Sequence, residues 1–471
     1  MNAAALLEGY NAVILLYFIA MNAMYLALTY HASRAMLSRV RRGRMEGMDD
    51  LMRSPLAPGV TIVVPAHNEQ ECIVESVRSL LALRYQKFDV IVVSDGSTDA
   101  TVELLRSAFD LEIFPRVYVP SIPTMPVRKV FRSRTDARLT VVEKANGGKA
   151  DALNCGINLA DRELICAIDA DAILDQDALL LACRPFLEEP DEVVATGGIV
   201  RIANGCRIES GHVEQVALPK SRLAAIQVVE YLRAFLTARS GWSRVNALLI
   251  VSGAFGIFRR DVLRELGGYR RETVGEDGEL VVRIHRHFRE RGEKYKVCFV
   301  PDPVCWTEAP ETLKVLRRQR VRWARGLFEI LTMHRRMIGR PSYGTVGMAA
   351  MPATLMFELL GPVIELTGLV AVVAGWRMGM LSVRYLAIFA LVSVVFGLFL
   401  SVTALALEEA SLRRYPRVSQ VFILVIYSLV EQLGYRQLTA LWRVWALLEA
   451  IAGRRARWGV MKRRGLARKA V

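Results

Sequence analysis

The stretch "VIVVSDGSTD" (residues 90–99) decides how the middle of this chain folds. Four consecutive β-branched residues, Val90 to Val93, have no polar alternation. They read as a strand buried on both faces, the pattern of a parallel sheet covered by helices. The run then ends in Asp95 and Gly96, and Ser97 and Thr98 are natural caps for a following helix. Ligands of open parallel sheets bind beyond the carboxyl ends of the strands, so Asp95 is placed either to meet one or to shape an Asx turn.

Working outward, "VTIVVPAHNE" (60–69), "LTVVEK" (139–144) and "ELICAIDADAIL" (163–174) alternate with helical stretches across residues 60–340. That order predicts an α/β domain with a mostly parallel sheet. Residues 113–140 interrupt the pattern with four prolines and six basic residues against one acid, and they read as an exposed loop.

Composition adds a second region. The chain has 471 residues, is 53% hydrophobic and has a mean hydropathy of +0.27, high for a soluble globule. "NAVILLYFIAMNAMYLALTY" (11–30) is uncharged and long enough to span a bilayer core of ~30 Å. Basic residues follow it instead of preceding it, which predicts a retained helix with its N-terminus outside. Past Val346 the chain turns apolar again. Residues 346–376 divide into an interfacial piece and a span, with further spans at 385–407 and 418–433. The segment 437–452 carries Arg443, and counting it as a span gives five in all and returns the C-terminus to the cytosol. The net charge of +15 could suggest nucleic acid, yet Arg34–Arg44 and the eight basic residues from Arg454 to Lys469 flank apolar runs. That is the cytoplasmic side of membrane segments, and no basic-aromatic nucleic-acid pattern accompanies it. Seven cysteines, an odd number without any CxxC pair, read as reduced thiols and not as a disulfide framework or a zinc site.

Five local patterns could carry chemistry. Asp169 and Asp171 lie two apart at a strand end, and paired carboxylates of this kind suit Mg²⁺ or Mn²⁺ together with substrate phosphates. "EKANGGKADALN" (143–154) offers Gly147 and Gly148 for close backbone approach and Lys149 as a point charge for a phosphate. It has no Walker spacing, and GxGxxG follows no strand. "TVGEDGEL" (273–280) displays Glu276 and Asp277 in a glycine-flanked loop, where a carboxylate can act as general base. "RRQRVRWARG" (317–326) places Gln319, Arg322 and Trp323 on one helical face, with Arg318 and Arg325 on the same side. An indole wall suits a sugar ring, while Gln and Arg suit hydroxyls and phosphates. Finally, Glu358 and Glu365 lie seven apart on one face of an apolar segment, consistent with a polar path or with a place at the headgroups.

In this order "VPAHNE", "SDGSTD", "NGGKADALN", "DAD", "SGAFGIFRRD", "GEDGEL" and "QRVRW" resemble the membrane-bound processive family 2 glycosyltransferases, the group of cellulose, chitin, hyaluronan and poly-N-acetylglucosamine synthases. The wording is most similar to the last of these. The resemblance covers about residues 58–330. It implies a Rossmann-like nucleotide-sugar domain of the glycosyltransferase A type at 58–340, a transmembrane helix at 1–33 and a basic cytosolic linker at 34–57. Three or four further transmembrane helices would occupy 341–453, with a basic cytosolic tail at 454–471. The implied protein is a multi-pass inner-membrane enzyme with a cytosolic catalytic domain, whose partners are a UDP-sugar donor, a growing glycan acceptor and the lipid bilayer, with room for an accessory subunit and no nucleic acid.

The implied roles follow position by position. Asp95 contacts the uridine or the metal-bound diphosphate, Lys149 faces the nucleotide, and Asp169 and Asp171 hold nucleotide and metal. Asp277, beside Glu276, is the catalytic base. Ser252 and Gly253 border the acceptor, and Gln319, Arg322 and Trp323 bind donor diphosphate and acceptor sugar. Ser94 departs from the acidic or amide residue common before Asp95. Two other readings fit some of these residues: a non-processive transferase acting on a lipid carrier, and a membrane-anchored nucleotide-sugar sensor without turnover.

Overall fold

A computed structural model describes residues 3–41 and 57–454, apart from 210, 381, 413, 414 and 416. Most of the basic linker (42–56) and nearly all of the basic tail (455–471) lie outside the described residues.

The core is a ten-stranded sheet. Its strands are β1 (Val60–Ala66), β2 (Phe88–Asp95), β3 (Leu111–Ile113), β4 (Val127–Ser133), β5 (Leu139–Lys144), β6 (Leu164–Ile168), β7 (Ile173–Leu174), β8 (Val193–Ile202), β11 (Phe255–Arg259) and β12 (Lys296–Thr307). β9 (Arg207–Glu209) and β10 (His212–Gln215) form a separate hairpin. The order is β3-β4-β5-β2-β1-β6-β11-β8-β12-β7. Neighbours among β5, β2, β1 and β6 run parallel, as the unbroken apolar runs require. β11 enters antiparallel between β6 and β8, and β4 is antiparallel to β5, so the sheet is mixed. β1 to β2 steps one way across the sheet and β6 returns on the other side of β1, which opens a crevice at the strand ends.

Part of 113–140 is not loop. Val127–Ser133 pairs with β5 near the sheet edge, and the prolines confine the irregular backbone to the segment before it. β4 lies between the short β3 and β5, one strand in from the edge, and the basic side chains that made the segment read as exposed, Arg128, Lys129 and Arg132, do stay exposed there.

Helices cover both sheet faces. Lys149–Leu159 is buried along almost its whole length, and Gly156 makes that possible, because a Cβ there would stand 2.2 Å from Val63 Cγ1. All seven cysteines are free thiols.

Among the described residues three helices are long and apolar enough to cross a membrane: Gly9–Leu37, Leu386–Ser411 and Val418–Ile451. The pair Val346–Leu359 and Gly361–Arg377, bent by 45°, makes a fourth if it is one span. By length and composition alone, the described residues thus offer three or four of the five spans anticipated from hydropathy. The helices Val418–Val430 and Arg436–Ile451 meet at a kink at Leu433 and Gly434, where the backbone leaves helical angles.

Candidate active site

The strand ends and three helices converge on a cavity of about 860 Å³. Lys149, Asp169, Asp171, Ser252, Gly253, Glu276, Asp277, Gln319, Arg322 and Trp323 all line it. Of the eleven residues singled out as site residues, it gathers these ten and excludes only Asp95 from its wall. β6 ends at Ile168, so Asp169 and Asp171 stand in the turn that follows and not on extended backbone.

Asp95 is set behind the cavity by sheet register. β2 and β5 pair Asp95 with Lys144, and the buried Lys144 ammonium lies 2.5 Å from Asp95 Oδ1. The same carboxylate accepts the N–H groups of Gly147 (2.9 Å) and Gly148 (2.7 Å). Gly148 has φ +89°, a glycine conformation that turns its N–H toward Asp95 as the helix begins. Asp151 completes the cluster, 2.7 Å from Lys144 and 2.8 Å from Arg271. Asp95 thus shapes the loop that delivers Lys149.

Lys149 opens its helix and points into the cavity, 2.5 Å from Asp169 Oδ1, 3.8 Å from Glu276 and 3.3 Å from the Gly253 carbonyl. Burial opposes its charge, but Asp169 and Glu276 overcome that and hold the ammonium charged well above the usual lysine range. Glu276 and Asp277 occupy the first turn of the helix Glu276–Arg291, not a loop, where the helix dipole favours negative charge. Asp277 Oδ2 accepts the Gly253 N–H at 2.9 Å. A side chain on Gly253 would crowd that oxygen at 3.1 Å and Lys149 Nζ at 3.2 Å. Burial pushes the Glu276 carboxyl up to about 6, with Lys149 opposing and Asp277 adding to the rise.

The helix Leu313–Met333 forms the opposite wall. It approaches through glycine, since a Cβ on Gly326 would lie 3.0 Å from Gly275 Cα. That contact sets the helix directly against the turn carrying Glu276 and Asp277. Gln319 is buried on the cavity side, and its Oε1 has no hydrogen-bond partner among the described residues. Trp323 is 43% exposed, its ring centroid 6.5 Å from that of Tyr231.

Several wall residues carried no recognisable sequence signal. The Arg320 guanidinium lies 4.5 Å from the Trp323 ring centroid and is held by Glu230 (2.6 Å) and by Tyr435 Oη (3.3 Å). Arg239 stacks 3.8 Å from the Phe235 centroid, and burial lowers its guanidinium to about 10 even though Asp277 works the other way. An arginine at helical spacing in the apolar stretch "YLRAFLTAR" (231–239) was the one available hint. Glu358 and Arg443 reach the same cavity, and Arg443 donates to the Glu358 carbonyl. Glu365 instead pairs with Arg436. Arg318 does not share the catalytic face: it lines a separate groove, while Arg325 bonds Glu329 at 3.0 Å.

Among the described residues no group of three or more His, Cys, Asp or Glu is arranged to hold a metal ion. Asp169 and Asp171 nevertheless fit Mg²⁺ or Mn²⁺, which commonly take one or two carboxylates and complete their shell with substrate phosphates and water. The Lys149 ammonium on Asp169 shows that this carboxylate already draws a cation.

Residues 61–267 match the family described as glycosyl transferase family 2, and this domain belongs to it. The chain is 30% identical over 273 residues to poly-beta-1,6-N-acetyl-D-glucosamine synthase of Staphylococcus aureus, and 28% identical over 273 residues to that of Staphylococcus epidermidis. Each match covers 58% of this chain and 55% of the relative, so the chain spans about half the length of the curated relatives it matches. A solved mannosyltransferase from Pyrobaculum calidifontis is 22% identical with a TM-score of 0.50, covering 88% of this chain and 99% of that one. That likeness bears on the fold, which is of the glycosyltransferase A type with a mixed sheet.

Proposed function

We propose that the protein is a membrane-embedded inverting glycosyltransferase that extends a polysaccharide from a UDP-sugar on the cytosolic face and couples extension to export. UDP-N-acetylglucosamine is the favoured donor and UDP-glucose the next. The observation that carries this reading is the convergence in one cavity of two acidic strand-end residues, a charged lysine, a helix-terminal aspartate and the Gln319–Arg322–Trp323 face. The staphylococcal relatives are named as synthases of a poly-N-acetylglucosamine, which supports the donor, and the mannosyltransferase was solved with GDP-mannose and Mn²⁺, which supports a metal-assisted nucleotide-sugar site.

Chemistry follows from placement. Asp277 takes the proton of the acceptor hydroxyl, which attacks the anomeric carbon from the face opposite the diphosphate and inverts it. The Gly253 N–H fixes one Asp277 oxygen and so aims the carboxylate. Lys149 and Arg322 hold the charge that grows on the departing diphosphate. A divalent cation held by Asp169 and Asp171 supplies additional positive charge there when bound. Trp323 offers a flat wall to the acceptor sugar, and Gln319 Oε1 accepts from one of its hydroxyls. Glu358 and Arg443 continue the polar lining toward the apolar helices, the direction a growing chain must take. Asp95 acts indirectly, as the anchor of the Gly147–Lys149 turn.

UDP titration by calorimetry tests the donor site. Binding strengthened by Mn²⁺ and lost in D169N/D171N is the expected result. Metal-independent UDP binding that survives in that variant overturns the assignment.

A further inference from the structure

The helix Leu313–Met333 has a second occupied face. Turned away from the catalytic cavity, Leu313, Lys314, Arg317, Arg318 and Val321 form a groove with Trp442, Trp445 and Glu449 of the helix ending at Ile451, with a volume of about 550 Å³. Lys314, Arg317 and Arg318 are exposed, and among the described residues no carboxylate pairs with any of them. The one acid in the groove, Glu449, lies 3.5 Å from Arg454. On the other side Trp442 is half-buried, packed near Leu316 and Tyr435, and Trp445 is 49% exposed. Both tryptophans belong to Val418–Ile451, one of the candidate membrane spans, whose Leu441, Leu448 and Ile451 are also exposed.

We propose that this groove binds the headgroup of an anionic phospholipid. Three exposed cations in one groove, without acidic partners among the described residues, favour an anion. Two indoles beside them match the amphipathic residues that settle at the boundary of a bilayer. Basic pockets next to membrane helices recognise anionic headgroups in this way. The groove is continuous with an apolar helix, so its occupant carries acyl chains and is not a soluble phosphate. Because Arg317 and Arg318 share a helix with Gln319, Arg322 and Trp323, a seated lipid fixes the rotation of that helix and thereby the sugar-facing side chains. Lys314, Arg317 and Arg318 are positioning residues in this scheme and touch no substrate.

The test reads binding and not turnover, so it is independent of the donor and of the reaction. Purified full-length protein is placed in vesicles of phosphatidylcholine containing brominated phosphatidylglycerol, or brominated phosphatidylcholine at the same bromine content. Tryptophan fluorescence is then followed. The expected result is stronger quenching by the anionic lipid, absent in W442F/W445F. In K314Q/R317Q/R318Q the anionic lipid needed for half-quenching rises, by roughly five-fold for each cation removed. The excess should persist in millimolar inorganic phosphate at constant ionic strength. Equal quenching by the two lipids overturns the proposal, as does an excess that survives in K314Q/R317Q/R318Q. Displacement by inorganic phosphate at constant ionic strength also overturns it, and assigns the groove to a soluble anion.

Discussion

Asp277 and Glu276 are adjacent carboxylates in one helical turn, yet their surroundings assign them different work. Asp277 accepts a backbone N–H and faces the cavity, whereas Glu276 is almost fully buried beside Lys149. D277N should lower kcat by about 10²–10⁴-fold while leaving UDP affinity unchanged, checked by steady-state turnover and calorimetry on one preparation. Unchanged turnover would remove Asp277 from the base role. Glu276 makes a prediction in pH. Its ordinary value of 4.5 is pushed up to about 6, so the folded protein holds this proton more tightly than the unfolded chain. Stability therefore falls as pH rises through that window, and E276Q lacks the fall. The melting temperature of E276Q relative to the natural protein should rise between pH 4.5 and pH 6 and level off above, and a flat difference would contradict the assignment. At this scale the residues that line the cavity were legible because each sits in a short local motif. Asp95 was the exception. Whether its carboxylate meets a ligand or the Gly147 and Gly148 amides depends on the pairing of β2 with β5, which no local motif encodes.

At the scale of elements, the helix Leu313–Met333 depends on one glycine contact. Adding a side chain at Gly326 forces it away from Gly275, because the nearest backbone atom would lie at 3.0 Å. G326V should destabilise the protein by about 1–3 kcal/mol and reduce turnover further than that loss explains. Turnover and thermal unfolding measured together decide it, and a destabilised variant with normal turnover would show that this approach does not position the site. Helical spacing was enough to group Gln319, Arg322 and Trp323. It could not rank their neighbours, because the boundary between two faces of a helix is drawn by what packs against it. Tyr435 and Glu230 draw Arg320 inward onto Trp323, while Trp442 and Trp445 share a groove with Arg318. Similarly, the proline-rich run at 113–126 masked the strand Val127–Ser133, whose Arg128, Lys129 and Arg132 stay exposed one strand in from the sheet edge.

Over the whole molecule, ion pairs join the catalytic domain to the apolar helices. Arg201 at the end of β8 meets Glu408 at 2.5 Å with both side chains buried, and Arg233 meets Glu431 at 2.5 Å. Removing one member of a buried pair leaves an uncompensated charge and destabilises by about 3–5 kcal/mol, whereas replacing both with apolar residues is often neutral. E408L should lower the detergent-solubilised melting temperature markedly and R201M/E408L should restore most of it. An equal loss in the two variants would show that the pair is not the joint. These partners lie 207 residues apart, so only the folded chain reveals them. The apolar segments themselves were legible in hydropathy. What hydropathy does not resolve is the kink at Leu433 and Gly434, where the backbone leaves helical angles between Val418–Val430 and Arg436–Ile451. The proposed activity, a polymerising transfer from a UDP-sugar, joins domain and membrane. Its most direct measurement is UDP release by purified, solubilised protein with Mg²⁺ or Mn²⁺, from UDP-N-acetylglucosamine and UDP-glucose side by side, with product length read on a gel. Release from one donor only, UDP-N-acetylglucosamine, together with chains of many sugars, is the expected result. Release from neither donor, with membrane lipid and both metals supplied, would contradict it.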